Sequence, residues 1–152
     1  MMGISTIHFL LCRRRLSLAR MSKSNSLFIL VAGPYRSNTG DDPAKIDQNL
    51  ETMTRAALEV FRLGHLPVLG ESLALPLIRQ AGSRQIGDGA FDEIFHPISR
   101  MLAERVDAVL RVGGPSKGAD EMVEIARRNG KLAFADLTEI SPTGTAASNK
   151  AR

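Results

Sequence analysis

The chain has 152 residues, a length that suits one domain with a substantial hydrophobic core. Its single cysteine, Cys12, excludes a disulfide framework and a thiolate zinc cluster, and its histidines, His8, His65 and His96, lack metal-ligand spacing. No apolar run approaches the roughly 20 residues of a membrane span, and the absence of tryptophan disfavours a single-stranded nucleic-acid platform. We therefore expect a single domain in a reducing, cytoplasmic compartment, with no metal, no cofactor and no membrane partner.

The formal net charge of +4 is concentrated at the two ends of the chain. Residues 1–25 hold five basic and no acidic side chains and residues 141–152 hold two basic ones, which leaves a net charge of −3 between them. An acidic body offers no surface for a polyanion, so we expect no nucleic-acid partner. We interpret 1–25 as a flexible extension or a mis-called start, with Met21 as the true start or a transit peptide as the alternatives. Residues 26–137 are then a single α/β domain and 138–152 a disordered tail.

The first predicted element is a strand over residues 27–32. Its unbroken apolar run is typical of a strand that is buried on both faces. Gly33 and Pro34 end the strand, and Tyr35 and Arg36 follow at once on the way to the next helix. Ligands of open α/β sheets bind at the carboxyl ends of strands, so these four residues are candidate substrate-binding residues. They offer a flat aromatic face and a fixed cation, although an ordinary strand-to-helix turn fits them as well.

Helical and strand patterns alternate along the rest of the chain. The predicted elements are a helix over 44–63, a strand over 65–70, a short helix over 72–81 interrupted by Pro76, a helix over 91–105 that Pro97 bends or begins, a strand over 107–113, a helix ending at Arg128 and a strand over 131–136. This alternation predicts a three-layer α/β fold with a mostly parallel sheet of four to five strands. The first strand is expected to lie centrally, at the topological switch point.

Three features outside the first loop are candidates for chemistry. Glu71 directly follows the second strand, on the ligand side of the sheet, and joins the predicted substrate-binding residues. Residues 82–89 contain three glycines and are interpreted as a mobile surface loop, a candidate flap over a site. Asp92 and His96 lie on the following helix. They are candidate proton donors or bases, and a first-turn acid and a structural histidine are the alternatives.

A second glycine-rich loop connects the third strand to the last long helix. Ser116 can cap that helix, and the small residues Gly118 and Ala119 leave its first backbone N–H groups open to an anion or a hydroxyl. The loop lacks both the Walker ending and the dinucleotide fingerprint. Asp120 and Glu121 follow in the first turn, where the helix dipole favours ionised carboxylates, and Glu121 is a candidate nucleophile or base. These two acids also oppose a bound phosphate, which would need a nearby basic side chain to offset them.

Together these motifs resemble the nucleoside 2-deoxyribosyltransferase-like superfamily, which includes the 2′-deoxynucleoside 5′-monophosphate N-hydrolases. The resemblance covers about residues 27–136 and rests on Ala32-Gly33-Pro34-Tyr35-Arg36, Gly64-His65-Leu66-Pro67-Val68, Asp107-Ala108-Val109-Leu110, Pro115-Ser116-Lys117-Gly118-Ala119, Glu124-Ile125-Ala126 and Gly130-Lys131, in this order. It implies a Rossmann-like or flavodoxin-like sheet, a homodimer or homotetramer, and a small nucleoside or nucleotide as substrate. The implied reaction is cleavage of the N-glycosidic bond between base and deoxyribose, by hydrolysis or by transfer.

The resemblance also implies catalytic acids, and here the chain departs from the pattern. A nucleophilic glutamate is implied in the last helix, and alignment on Ala126 puts it at Met122, whose thioether cannot replace a carboxylate. Glu121 is adjacent, but one residue turns a helical side chain by about 100°. An aspartate is implied in the preceding helix, and alignment on Asp107 puts it at Ser99. The fold therefore follows from the resemblance more directly than the reaction does.

Three functions remain as hypotheses. The first is an enzyme acting on an N-glycosidic bond, with Glu121 as nucleophile or base and Asp92 or His96 as proton donor. In it Tyr35 stacks on the base, and the two loops hold the sugar or the phosphate. The second is a non-catalytic nucleotide-binding or sensing domain, which Met122 at the nucleophile position favours. The third is a partner-binding module, which the polar glycine-rich loops at the strand ends disfavour.

Overall fold

The computed structural model of the protein describes residues 25–143. Residues 1–24 of the predicted extension and 144–152 of the predicted tail lie outside the described residues. The elements are β1 (Phe28–Ala32), α1 (Pro43–Arg62), β2 (Leu66–Val68), α2 (Gly70–Gln80), α3 (Gly89–Arg105), β3 (Ala108–Arg111), α4 (Lys117–Arg128), β4 (Leu132–Phe134) and a 3-10 helix (Leu137–Glu139).

The four strands form one parallel sheet in the order β2-β1-β3-β4. Leu30 in β1 is in register with Val68 on one side and Val109 on the other. This arrangement confirms the predicted α/β class, a Rossmann-like three-layer fold. Strand β1 connects to β2 on one side of it, whereas its other neighbour, β3, connects to β4 on the opposite side. The topological switch point therefore lies at the carboxyl ends of β1 and β3.

Strand β1 is buried on both faces, as its apolar run predicts. Successive side chains of a strand point to opposite faces, so Ile29 and Val31 pack on the layer that contains α1. Leu30 and Ala32 pack on the opposite layer, which contains α4 and the end of α3. The core therefore lies on both sides of this one strand, which fixes the position of the loop that follows it.

Two helices differ from their predicted limits. Helix α2 begins at Gly70 because β2 has only three residues, so Gly70 and Glu71 lie in its first turn rather than at the end of a strand. Helix α3 begins at Gly89 and continues through Pro97, which neither begins nor ends it. Its start is set by Asp88, whose side chain accepts a hydrogen bond from the backbone N–H of Phe91 at 2.9 Å.

Residues 138–143, which the sequence assigned to the tail, belong to the packed domain. Ile140 is 4 % exposed and joins the core layer of α1, next to the 3-10 helix. The backbone N–H of Thr143 donates to the carbonyl of Leu63 at 2.8 Å. The polar composition of this segment hid the single isoleucine that anchors it, and the described part of the domain therefore extends to Thr143.

His65 joins this C-terminal segment to the start of β1. Its Nδ1 accepts a hydrogen bond from the backbone N–H of Leu27 at 3.0 Å, and its Nε2 lies 2.9 Å from the carbonyl of Ser141. Because Nδ1 is an acceptor, Nε2 carries the proton and donates to Ser141. The side chain is 4 % exposed and both ring nitrogens are satisfied, so this histidine is structural.

We expect the substitution Ile140→Ala to lower the free energy of unfolding by about 2–4 kcal/mol, since it leaves a cavity in the core layer of α1. Urea unfolding followed by circular dichroism measures the change. Leu132→Ala is the matched control because that side chain is 51 % exposed, and its expected cost is below about 1 kcal/mol. If both substitutions lowered the free energy of unfolding by the same small amount, the result would contradict the packing of residues 138–143.

Candidate functional site

A cavity of about 400 Å³ opens at the carboxyl end of β1, at the topological switch point. Its floor is the end of β1 and the following glycine (residues 30–33), and its walls are the β1–α1 loop, the first turn of α2, one face of α3 and the start of α4. A cavity of this size is within the range of small-molecule sites. It lies where the strand pattern predicts a ligand.

Most of the predicted site residues line this one cavity. They are Gly33, Tyr35, Arg36, Glu71, Asp92, His96, Ser116, Gly118 and Ala119. Pro34 is not in the lining; it packs instead against Gly113, whose φ of +74° turns the second loop beside it. Residues widely separated in the sequence therefore meet at one place because the parallel strands end at the same edge of the sheet.

Glu121 lies outside the cavity, and its neighbour Met122 lines it. The Glu121 carboxylate accepts a hydrogen bond from Arg100 on α3 at 2.8 Å. Met122 is 4 % exposed and faces the floor, since one residue turns a helical side chain by about 100°. Ser99 also lines the cavity. A thioether and a hydroxyl thus occupy the two positions at which the family resemblance implies acids.

Aromatic side chains form one wall of the cavity. The rings of Tyr35 and Phe95 are tilted with centroids 5.1 Å apart, and Phe95 stacks on Phe91 at 4.7 Å. Burial raises the pKa of Tyr35, and the negative charges of Glu71 and Asp47 add to the rise. The phenol therefore stays protonated at neutral pH and offers a hydrogen bond beside a flat apolar face. Our reading of the sequence missed both phenylalanines, although their i, i+4 spacing on α3 was a signal for a shared face.

Glu71 is the buried acid of the cavity. The residue is 7 % exposed in the first turn of α2, and no ion pair between residues 25 and 143 includes it. Burial raises the pKa of its carboxyl, and a hydrogen bond from its own backbone N–H opposes the rise. A carboxyl group with a raised pKa in a cleft is suited to proton transfer.

Helix α3 presents a polar stripe to the cavity. Asp92, His96 and Ser99 follow at i, i+4 and i+7, a spacing that puts them on one face. His96 lies against the start of α4: a β-carbon built on Gly118 would be 3.4 Å from the ring carbon Cε1. That distance is an ordinary van der Waals contact, so the imidazole packs beside the start of α4.

The start of α4 lies beside this stripe and forms another wall of the site. The Ser116 hydroxyl accepts a hydrogen bond from the backbone N–H of Ala119 at 3.3 Å, and it lies 3.2 Å from the hydroxyl of Ser37. Ser116 therefore caps the helix, as the sequence predicts. Ser37, which our reading of the sequence did not single out, joins the two loops at the cavity wall.

Arg36 connects the mouth of the cavity to two loops. Its guanidinium forms a bidentate ion pair with Asp41, with Nε 2.5 Å from Oδ1 and Nη2 2.7 Å from Oδ2. The same guanidinium packs directly on Gly87. Gly87 belongs to the predicted flap, residues 82–89. Asp88 organises that segment, because its carboxylate accepts hydrogen bonds from the backbone N–H groups of Phe91, Arg84 and Gln85. These hydrogen bonds lower the pKa of Asp88 to about 2. The flap is thus a defined turn that contacts the site through Arg36.

Comparisons with known proteins do not identify this chain: no family model matches it, and no curated protein matches it significantly. Within residues 25–143, no group of three or more His, Cys, Asp and Glu side chains is placed to hold a metal ion. No helix of that same range is both long and apolar enough to cross a bilayer.

Glu71→Gln is expected to stabilise the protein at neutral pH, because the folded state then no longer has to bury a carboxylate or to retain a proton that the unfolded chain releases. The pKa of Glu71 is raised in the folded state. The loss of stability that Glu71 causes is therefore absent below the ordinary value of 4.5, where the folded and the unfolded chain are both protonated, and it appears as the pH rises above that value. Denaturant unfolding from pH 3 to pH 7 should show the gain only in the upper part of the range. Glu124→Gln, at an exposed position of α4, is the control. A gain that does not depend on pH would contradict the assignment.

Proposed function

We propose that the cavity binds a nucleoside or nucleotide and that the protein cleaves its N-glycosidic bond, by hydrolysis or by transfer. The observation that carries this proposal is the carboxyl of Glu71, buried without an ion pair beside the aromatic wall of a cavity at the switch point. A flat base would lie on Tyr35. The sugar would then face the hydroxyl and the small residues at the start of α4.

The proposed chemistry assigns the departing base a proton from Glu71. As the bond between C1′ and the base nitrogen breaks, its electron pair stays on the base, which takes the proton of the Glu71 carboxyl. The charge of Glu71 acts on Tyr35, so a base stacked on that ring is near this acid. Positive charge develops on the sugar, and the Asp92 carboxylate stabilises it. Water, or a second base, forms the new bond to C1′ and gives its proton to Asp92 or His96.

The role of nucleophile or base that the sequence suggested for Glu121 has no support in the geometry of the cavity. Its carboxylate pairs with Arg100, and Glu121 is not part of the cavity lining. A buried acid and the α3 stripe are present instead, and they suit direct attack by water with general acid and base assistance. A homodimer or homotetramer in the cytoplasm stays a prediction from the sequence.

The release of free base from a panel of 2′-deoxynucleosides and their 5′-monophosphates, measured by chromatography, tests this function. We expect wild-type turnover with at least one compound and a loss of about a hundredfold or more in kcat for Glu71→Gln, because the leaving base loses its acid. Glu121→Gln is the matched control, since the same change is made outside the cavity, and its activity should be close to that of wild type. Loss of turnover in Glu121→Gln with retention in Glu71→Gln would overturn the assignment.

A non-catalytic binding domain is the second candidate, and the position of Met122 favours it. A thioether faces the cavity where the resemblance implies a nucleophile. In that case no compound of the panel would turn over, and one of them would raise the melting temperature of wild type but not of Tyr35→Ala, which lacks the stacking surface. The absence of both turnover and stabilisation would exclude both candidates.

A further inference from the structure

Arg36 is the one lysine or arginine among the described residues that line the cavity. A phosphate group on a ligand would need this guanidinium, because a planar fork of N–H donors holds phosphate with paired hydrogen bonds. The fork is already occupied: Nε and Nη2 of Arg36 donate to the two carboxylate oxygens of Asp41. The pair holds the pKa of Asp41 below its usual range.

The backbone conformation at Asp41 directs its side chain toward Arg36. Thr39 is 3 % exposed, and its hydroxyl donates to the carbonyl of Arg36 at 2.7 Å while accepting from the N–H of Asp41 at 3.1 Å. Asp41 itself has a φ of +60°, a left-handed conformation that non-glycine residues seldom adopt. The backbone conformation of this loop therefore places the Asp41 side chain beside Arg36, where the two form their ion pair.

The other charges near the cavity also disfavour an anion. Glu71 and Asp92 line it, and the charge of Asp92 acts on Arg36 in addition to that of Asp41. At the start of α4, Lys117 is exposed and is not part of the lining. Arg36 thus stands beside the carboxylates of Asp41 and Asp92, and these negative charges offset its attraction for a phosphate.

We infer that Asp41 is a specificity-determining residue that withholds Arg36 from phosphate, so that the cavity takes unphosphorylated nucleosides rather than nucleotides. The ligand class rests on the function proposed above; the exclusion of phosphate from Arg36 does not. In this arrangement Arg36 contacts both the β1–α1 loop, through Asp41, and the segment of residues 82–89, through Gly87. The sugar hydroxyls then meet neutral groups at the start of α4.

The test is the substitution Asp41→Asn, since asparagine tolerates a positive φ and removes only the charge. Calorimetry gives Kd for four 2′-deoxynucleosides, their 5′-monophosphates and inorganic phosphate. We expect wild type to bind a nucleoside more tightly than its monophosphate, and Asp41→Asn to shift the ratio of the two Kd values about threefold to tenfold toward the monophosphate. The Kd of the nucleoside should stay unchanged, and the shift should shrink as salt screens the charges.

Asp42→Asn is the matched control. It removes the same charge one residue away, at the N-cap of α1, where asparagine caps equally well. It should change the ratio less than about twofold, because the Asp42 carboxylate is exposed, forms no ion pair with Arg36 and is therefore screened. An effect of Asp42→Asn as large as that of Asp41→Asn would overturn the inference, since it would reflect net charge alone.

The phosphate measurements separate this inference from the proposed function. If no nucleoside binds, the proposed function fails. The inference about Arg36 is still established if inorganic phosphate binds to Asp41→Asn but binds neither to wild type nor to the double variant Asp41→Asn, Arg36→Gln. The inference is overturned if wild type binds monophosphates more tightly than nucleosides. It is equally overturned if Asp41→Asn changes neither that ratio nor the binding of phosphate.

Discussion

The burial of one carboxyl group, that of Glu71, is the constraint on which the candidate site depends. Taking a carboxylate out of water is costly unless a cation accompanies it, and no ion pair in residues 25–143 includes this one. The short strand β2 and the early start of α2 bring the residue to the edge of the sheet where β1 ends. A fold that keeps an acid there accepts a loss of stability, and that loss has a physical explanation if the acid serves a ligand.

The same fold holds different chemistry depending on which side chains face its cavity. Met122 and Ser99 face the cavity at positions where the resemblance implies acids, whereas Glu121 is turned away to Arg100. Glu71 and Asp92 supply carboxyl groups from α2 and α3 instead. The resemblance therefore does not by itself place catalytic residues in this cavity, whose chemistry depends on the side chains that line it.

The sequence predicted those features that short-range pattern decides. The apolar run of β1, the alternation of elements and the cap at Ser116 all correspond to the structure. Boundaries near prolines and short strands were less accurate, because Pro97 is accommodated inside α3 and β2 ends after three residues. The pairing of Arg36 with Asp41 was out of reach, since it depends on a left-handed backbone at Asp41, which an aspartate permits but does not specify. The orientation of Glu121 depended likewise on the exact register of α4.

The most direct test of this description is a carbon-13 NMR titration of the Glu71 side-chain carboxyl, assigned by its disappearance in the Glu71→Gln variant. The titration is recorded on the full-length protein, alone and with each 2′-deoxynucleoside. A midpoint above the ordinary glutamate value of 4.5, and a further change when a nucleoside binds, is the result expected for a buried acid that meets the base. A midpoint at the ordinary value of 4.5, unchanged by every nucleoside, would contradict the assignment of this cavity as the site.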